Sequence, residues 1–336
     1  MRRYGSCNNA PMDNFAAAVS SMPGQPAGTL LSRRFFADVD EQAAALQGWN
    51  QTYLQLTRGA FGGEMQQITF AGMRLFVESL RESVYQTGHI GGGALALGMP
   101  LQLEGESVFC GAPCDAATLH VFSGATGFDF RSPRRHVMLG LELDAAAWRR
   151  CTDQDPAGSK PARITPQAVL HRPDASALTR LKQALVALLG HVQAHPGSFA
   201  APAVQQRVLD NVLDQVSDLL ACPAPAGNVH SHWAVTQRAR DMIHARLDNP
   251  PTVLALCERL DVSRRTLQNC FQTVLGVSPL SYLRAVRLNA ARQALKTAPS
   301  VTAAATDLGF WHFGHFAHDY QQMFGELPSQ TFCRYR

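Results

Sequence analysis

The sequence predicts an α+β protein: a small N-terminal antiparallel β-barrel or sandwich with a helical hairpin, then an all-α domain whose two helix-turn-helix units are joined by a long helix. Three observations carry this. Short apolar runs separated by Gly and Pro fill residues 61–143. Two later stretches repeat apolar residues at helical spacing. The last third contains one supersecondary unit twice. A length of 336 residues suits about two domains, each able to bury a core without disulfides. A hydrophobic fraction of 46% argues against a disordered chain, and 26 Gly with 19 Pro in no fixed period exclude collagen.

Residues 1–30, rich in Ala, Ser, Gly, Pro and Asn, read as a flexible arm. A helix is predicted over residues 40–56, with Ala45, Trp49 and Tyr53 as its inner stripe. Strand-like runs follow at 65–70, 73–80, 94–97, 101–103, 107–110, 119–122 and 137–143. A barrel of this kind can hold one small ligand in its mouth. His89, Cys110, His120 and Trp148 are candidates to line it, although such residues more often complete an apolar core. Leu178, Leu181, Leu185, Leu188 and Val192, then Val204, Val208, Val212, Val216 and Leu220 after His195-Pro196-Gly197, define a helical hairpin. Its stripe reads as a dimer contact, with packing against the barrel as the alternative.

The long uncharged run 83–103 contains Gln86, His89, Gln102 and Gly91-Gly92-Gly93 and is a poor membrane span. Arg2 and Arg3 lead into Ser6, Asn8 and Asn9 rather than an apolar stretch, so no export signal is expected and the chain is placed in the cytoplasm. The 8 cysteines then read as reduced thiols. Only Cys110 and Cys114 lie close together, with His120 as the nearest further ligand, and this is not the double pair of a zinc site.

Charge divides the chain. Residues 232–336 hold twelve Lys and Arg against seven Asp and Glu, whereas residues 1–231 hold eighteen and nineteen. A basic terminal domain beside a near-neutral one points to a polyanionic partner for the former. Two prolines and a glycine between Cys222 and His230 mark the connector, giving an arm at 1–30, a domain at 31–222, a linker at 223–231 and a second domain at 232–336.

The internal repeat has an offset of 48–49 residues. Val253, Ala255, Cys257 and Leu260 recur as Val301, Ala303, Ala305 and Leu308, while Leu267, Phe271, Gly276 and Pro279 recur as Phe316, Tyr320, Gly325 and Pro328. Each copy reads as helix, tight turn and second helix, with Ser263 as a cap and Gly276 and Gly325 as helix ends. Such a second helix enters a DNA major groove. In the first copy Leu267, Phe271 and Val274 face inward, leaving Arg264, Arg265, Gln268 and Asn269 to address guanine and adenine edges. In the second, Phe313, Phe316, Tyr320 and Met323 are the packing set, leaving His312, His315, His318, Gln321 and Gln322 outward.

Three histidines spaced by three do not gather on one metal ion, because the first and third diverge by roughly 120° around a helix. Contacts to bases and phosphates suit that spread. The helix from Pro279 to Lys296 separates the two units by ~27 Å, close to the ~34 Å between successive major-groove faces. Arg284, Arg287, Arg292 and Lys296 are expected to keep it cationic beside phosphates. The predicted DNA-binding set is Ser263, Arg264, Arg265, Gln268, Asn269, Arg284, Arg287, His312, His315 and His318.

The run from Val262 through Phe271, Leu275-Gly-Val-Ser-Pro-Leu-Ser-Tyr-Leu-Arg284, Arg287-Leu-Asn-Ala-Ala-Arg292 and Leu308-Gly-Phe, with His315-Phe-Ala-His-Asp-Tyr320 and Phe324-Gly-Glu-Leu-Pro-Ser329, resembles the DNA-binding domain of AraC/XylS-type transcription regulators. Residues 262–269 and 309–322, with Trp49-Asn-Gln-Thr-Tyr53 and Phe61-Gly-Gly-Glu64, are similar to the subgroup of ethanolamine-utilisation operon regulators. The resemblance implies promoter DNA and RNA polymerase as partners, positive control, a homodimer, and effector sensing by the domain at 31–222. It implies ethanolamine with adenosylcobalamin as effectors on resemblance alone, and no catalytic role. His318, Gln321 and Gln322 depart from the basic residues common in the family's second unit. The alternative is a methyl-accepting DNA-repair protein with the same binding domain, which requires clustered thiolates that Cys7, Cys110, Cys114 and Cys151 are too scattered to supply.

Overall fold

The computed structural model describes residues 30–91, 94–122, 126–153, 168–221 and 231–336. The predicted arm, apart from Leu30, and the predicted linker, apart from Ser231, lie outside the described residues. Strand β1 (Leu30–Phe36) and a short helix α1 (Val39–Ala43) precede β2 (Trp49–Gln55), β3 (Gly63–Phe70), β4 (Met73–Leu80) and β5 (Val84–Ile90). Then come β6 (Leu95–Leu103), β7 (Ser107–Phe109), β8 (Ala112–Cys114), β9 (Leu119–Phe122), β10 (Phe128–Arg131) and β11 (His136–Leu143). Helix α2 (Ala145–Asp153), β12 (Val169–His171) and the hairpin α3 (Ala175–Ala194) and α4 (Pro202–Leu220) complete the first domain.

The strands form an antiparallel sandwich. One sheet runs β1-β3-β4-β11-β6-β9-β12 and the other β2-β5-β10-β7-β8. Period-two alternation assigns each strand's faces. Met73, Leu75, Leu139, Leu141 and Leu143 point out of the larger sheet into one core with the hairpin, while Phe76, Leu80 and Met138 point between the sheets. Gly140 allows this close approach, since a Cβ there would lie 2.0 Å from the Phe76 ring.

Two expectations are corrected here. The helix over 40–56 is the five-residue α1 followed by β2. Residues four apart share a face in a strand as well as in a helix, so Trp49 and Tyr53 fit both periods. The hairpin stripe expected at a dimer contact is instead covered by the chain's own larger sheet, where Leu178, Leu181, Leu185, Val192, Val212 and Val216 are buried.

The second domain is helical: α5 (Ser231–His244), α6 (Val253–Leu260), α7 (Arg264–Leu275), α8 (Pro279–Leu295), α9 (Val301–Thr306), α10 (Phe313–Phe324) and α11 (Pro328–Arg334). The tandem repeat is thus α6-α7 and α9-α10, joined by α8. It carries two cores, one around Leu267, Phe271 and Tyr282 and the other around Leu295, Phe316 and Tyr320. Among the described residues no helix is long and apolar enough to cross a membrane.

Candidate nucleic-acid interface

The first unit is fixed at both ends of its turn. Thr252 caps α6 by accepting from the Ala255 N–H at 3.1 Å, and Asp261 closes it in the left-handed region at φ 53°. Ser263 Oγ accepts from the Thr266 N–H at 3.0 Å and starts α7. Leu267, Cys270, Phe271 and Val274 are buried, so Arg264, Arg265, Gln268 and Asn269 share the solvent side of one helix. Ser263 is occupied as a cap, although the residue is exposed.

The second unit differs at its start. Ser300 caps α9 as the other caps do, Gly309 turns the chain at φ 71°, and α10 begins after His312 without a side-chain cap. Phe316, Tyr320, Met323 and Phe324 are buried, whereas His312, His315, His318, Gln321 and Gln322 are exposed. The His312 and His315 rings stand 6.2 Å apart. Phe313 does not join the packing set as expected: Phe310 fills that place, 4.8 Å from the Phe316 ring, and Phe313 stands out in solvent beside Trp311.

The long helix departs from expectation. Arg284 Nε donates to Asp319 Oδ2 at 2.8 Å, which ties α8 to α10. Arg287 donates to the carbonyls of Leu308 and Gly309, at 2.8 Å each, and lies 4.2 Å over the Phe310 ring. Arg292 and Lys296 do not face a phosphate. Arg292 Nε donates to Asp38 Oδ2 at 2.8 Å, and Lys296 Nζ donates to Asp38 Oδ1 at 2.6 Å and Asp40 Oδ2 at 2.8 Å. Burial alone raises the Asp38 carboxyl, but Lys296 and Arg292 outweigh it and hold it below the usual carboxylate range.

These bonds belong to a broad contact between the domains that sequence reading missed. Asn289 accepts from the Gln55 N–H at 3.1 Å and donates to the Gln55 carbonyl at 3.0 Å, pairing with the end of β2 as a neighbouring strand does. Asp129 Oδ2 accepts from Trp233 Nε1 at 2.8 Å and Gln237 Nε2 at 2.6 Å. Arg240 Nη1 donates to the Tyr85 hydroxyl at 2.6 Å. Leu56 and Tyr85 share a hydrophobic core with α5, α6 and α7. A sequence cue was Asn289 and Arg292, three residues apart on the largely apolar face of α8.

Inside the sandwich, a small cavity is lined by Trp49, Tyr53, Phe76, Glu78, Phe122 and Phe130, among others. Glu78 accepts from Gln42 Nε2 and the Tyr53 hydroxyl, both at 2.9 Å, and from Gln86 Nε2 at 3.3 Å. Burial pushes its carboxyl up despite those donors. None of His89, Cys110, His120 and Trp148 lines this space: His89 is exposed, and His120 and Trp148 are buried elsewhere. Burial and the nearby Asp129 push the Cys110 thiol up to about 12, and burial pushes Cys114 up to about 11, so neither is poised as a thiolate. Among the described residues no three His, Cys, Asp or Glu side chains are grouped to hold a metal; Cys7 lies outside them, as does the side chain of Cys151.

Two helix-turn-helix units on a connecting helix, each presenting a polar outer face, define a duplex-DNA-binding domain. Residues 256–334 match the family described as "Helix-turn-helix domain". The "Probable thc operon regulatory protein" of Rhodococcus erythropolis is 35% identical over 100 residues, 29% of this chain and 30% of that protein. The "XylDLEGF operon transcriptional activator" of Pseudomonas putida is 35% identical over 99 residues, 28% of this chain and 31% of that protein. A solved "probable AraC family transcriptional regulator" from Rhodopseudomonas palustris is 38% identical, with a TM-score of 0.29, covering 31% of this chain and 98% of that one. The C-terminal domain is therefore a helix-turn-helix domain similar to those of these operon regulators. The match spans about 30% of the length of those two curated relatives.

Proposed function

We propose that this chain is a sequence-specific transcription regulator that activates a promoter in response to a small molecule held by its N-terminal domain. It would act in the cytoplasm at the nucleoid, as a homodimer that contacts promoter DNA and RNA polymerase. The observation that carries the reading is the placing of two exposed recognition helices on a domain docked to the effector sheet. Along β2, β5 and β10, Tyr53, Gln86 and Phe130 face the cavity, while Leu54, Tyr85 and Asp129 face the DNA-binding domain. One strand layer thus separates ligand space from DNA-binding helices, so a ligand that shifts these strands changes both.

At about 20 Å³ the cavity has room for little more than a water molecule, so a ligand the size of ethanolamine, the effector of the resembling subgroup, would have to push its lining apart on entering. Adenosylcobalamin is far too large for it, and no step of this reading runs through that group. The test is selection of duplexes from a random library by the full-length protein. Enrichment of two half-sites about one helical turn apart supports the reading, and recovery of unbiased sequence rejects it. Half-site binding that changes on adding ethanolamine would support that effector; indifference would remove it.

A further inference from the structure

We propose that Trp311, assisted by Phe313, reads thymine methyl groups in the major groove at the second half-site; this rests on the DNA-binding reading above. Trp311 is 72% exposed and Phe313 45%, while the neighbouring Phe316, Tyr320 and Phe324 are almost fully buried. Two large apolar side chains in water at one helix start represent unpaid hydrophobic free energy, recovered only when a partner covers them.

The place and the rigidity of the display select DNA as that partner. The N-terminal residues of a recognition helix meet base edges, and Trp311 and Phe313 flank His312 at the start of α10. The turn that presents them is anchored from below. The Phe310 N–H donates to the Ala305 carbonyl at 2.9 Å, and the Phe310 ring is held between Phe316 and the Arg287 guanidinium.

The two units also differ in chemistry at matching positions. With the offset of 49 residues, Phe313 stands where the first unit has Arg264. Phe310 corresponds to the half-buried Val262, each donating its N–H to the carbonyl five residues back, and Trp311 is the extra residue of the second turn. Helix α10 contains no Lys or Arg. Its forward edge therefore lacks the forked donor that recognises guanine, and the apolar object a major groove offers to an aromatic ring is the thymine C5-methyl group.

The experiment uses the full-length protein and the duplex it selects from a random library, made once with thymine and once with deoxyuridine replacing each thymine of the second half-site. The wild type is expected to bind the uracil duplex about fourfold more weakly for each methyl contacted, the equivalent of ~0.8 kcal/mol. Trp311→Ala should lose the same factor on the thymine duplex and then no longer distinguish the two, while Trp311→Phe keeps part of the preference. Arg265→Ala, in the other unit, should weaken both duplexes equally. Equal wild-type binding to the two duplexes, a second half-site without thymine, or a Trp311→Ala protein that still prefers thymine would each overturn the inference. Trp311→Ala that binds DNA normally but activates poorly would overturn it too, assigning the patch to a protein partner. Failure to select any sequence would remove the DNA-binding reading itself.

Discussion

Arg292 and Asp38, from opposite ends of the chain, form an ion pair at 2.8 Å with side chains only 3% and 2% exposed. Arg292 also donates to Glu326 Oε1 at 2.7 Å, and Asp38 caps α1 by accepting from the N–H groups of Asp40 and Glu41. The pair thus joins α1 of one domain to α8 of the other and, through Glu326, to the turn before α11. Asp38→Ala leaves the buried Arg292 with Glu326 alone, takes one carboxylate from Lys296 and uncaps α1, so it should destabilise the chain by about 3 kcal/mol. Arg284→Ala, which breaks a half-exposed pair with Asp319, should cost no more than ~1 kcal/mol. Denaturant unfolding of the two variants checks the contrast; similar midpoints would show that the domains do not depend on this contact.

The acid limb of stability should come from two buried histidines. Burial lowers His120 and His136 from 6.5 to about 3, with Lys182 and His136 adding to the effect on His120. The folded state refuses protons that the unfolded chain accepts. Their contribution is therefore intact above pH 6.5 and is lost progressively as the pH falls toward 3. Each histidine can contribute a slope of up to ~1.4 kcal/mol per pH unit. His120 stacks on Phe109 with ring centroids 4.5 Å apart, so His120→Phe keeps an aromatic ring there. That variant should show a shallower fall in unfolding free energy between pH 6 and 4 than the wild type.

How far the sequence could be read follows from the range of each interaction. The repeat was legible because its signals are local: Ser263 and Gly276 bound α7, and Leu267, Phe271 and Val274 repeat within it. Strands β5 and β10 were missed. Gly88 interrupts the first, and the charged Asp129 and Arg131 of the second face another domain instead of solvent. The partner of Arg292 in the other domain was hidden, because Asp38 lies 254 positions away. The aromatic identity of residues 310–313 was visible, but not which ring turns inward, since Phe310 and Phe313 are equally suited to a core.

Arg287 separates a bracing role from a phosphate contact. Its guanidinium satisfies the carbonyls of Leu308 and Gly309 at the turn before α10. Arg287→Ala should therefore lower stability by about 1–3 kcal/mol and loosen the second half-site. The slope of log affinity against log salt should stay as it is, because no phosphate contact is lost. A slope reduced by about one would place this side chain on the DNA backbone instead.

Arg264 and Arg265 carry the opposite expectation, because both are exposed on the first turn of α7. If Arg265 grips a guanine edge with its two-pronged donor, Arg265→Ala should cost ~1–3 kcal/mol on the selected duplex and relax the preference at one base pair. The loss on random DNA should be smaller, since nonspecific binding depends on total charge rather than on a base edge. His315→Ala should act at the other half-site, about one helical turn away, so footprints of the two variants should weaken at different ends of the operator. Equal losses of Arg265→Ala on selected and random DNA would confine that side chain to the phosphates. An unchanged footprint for His315→Ala would leave α10 without a reading role.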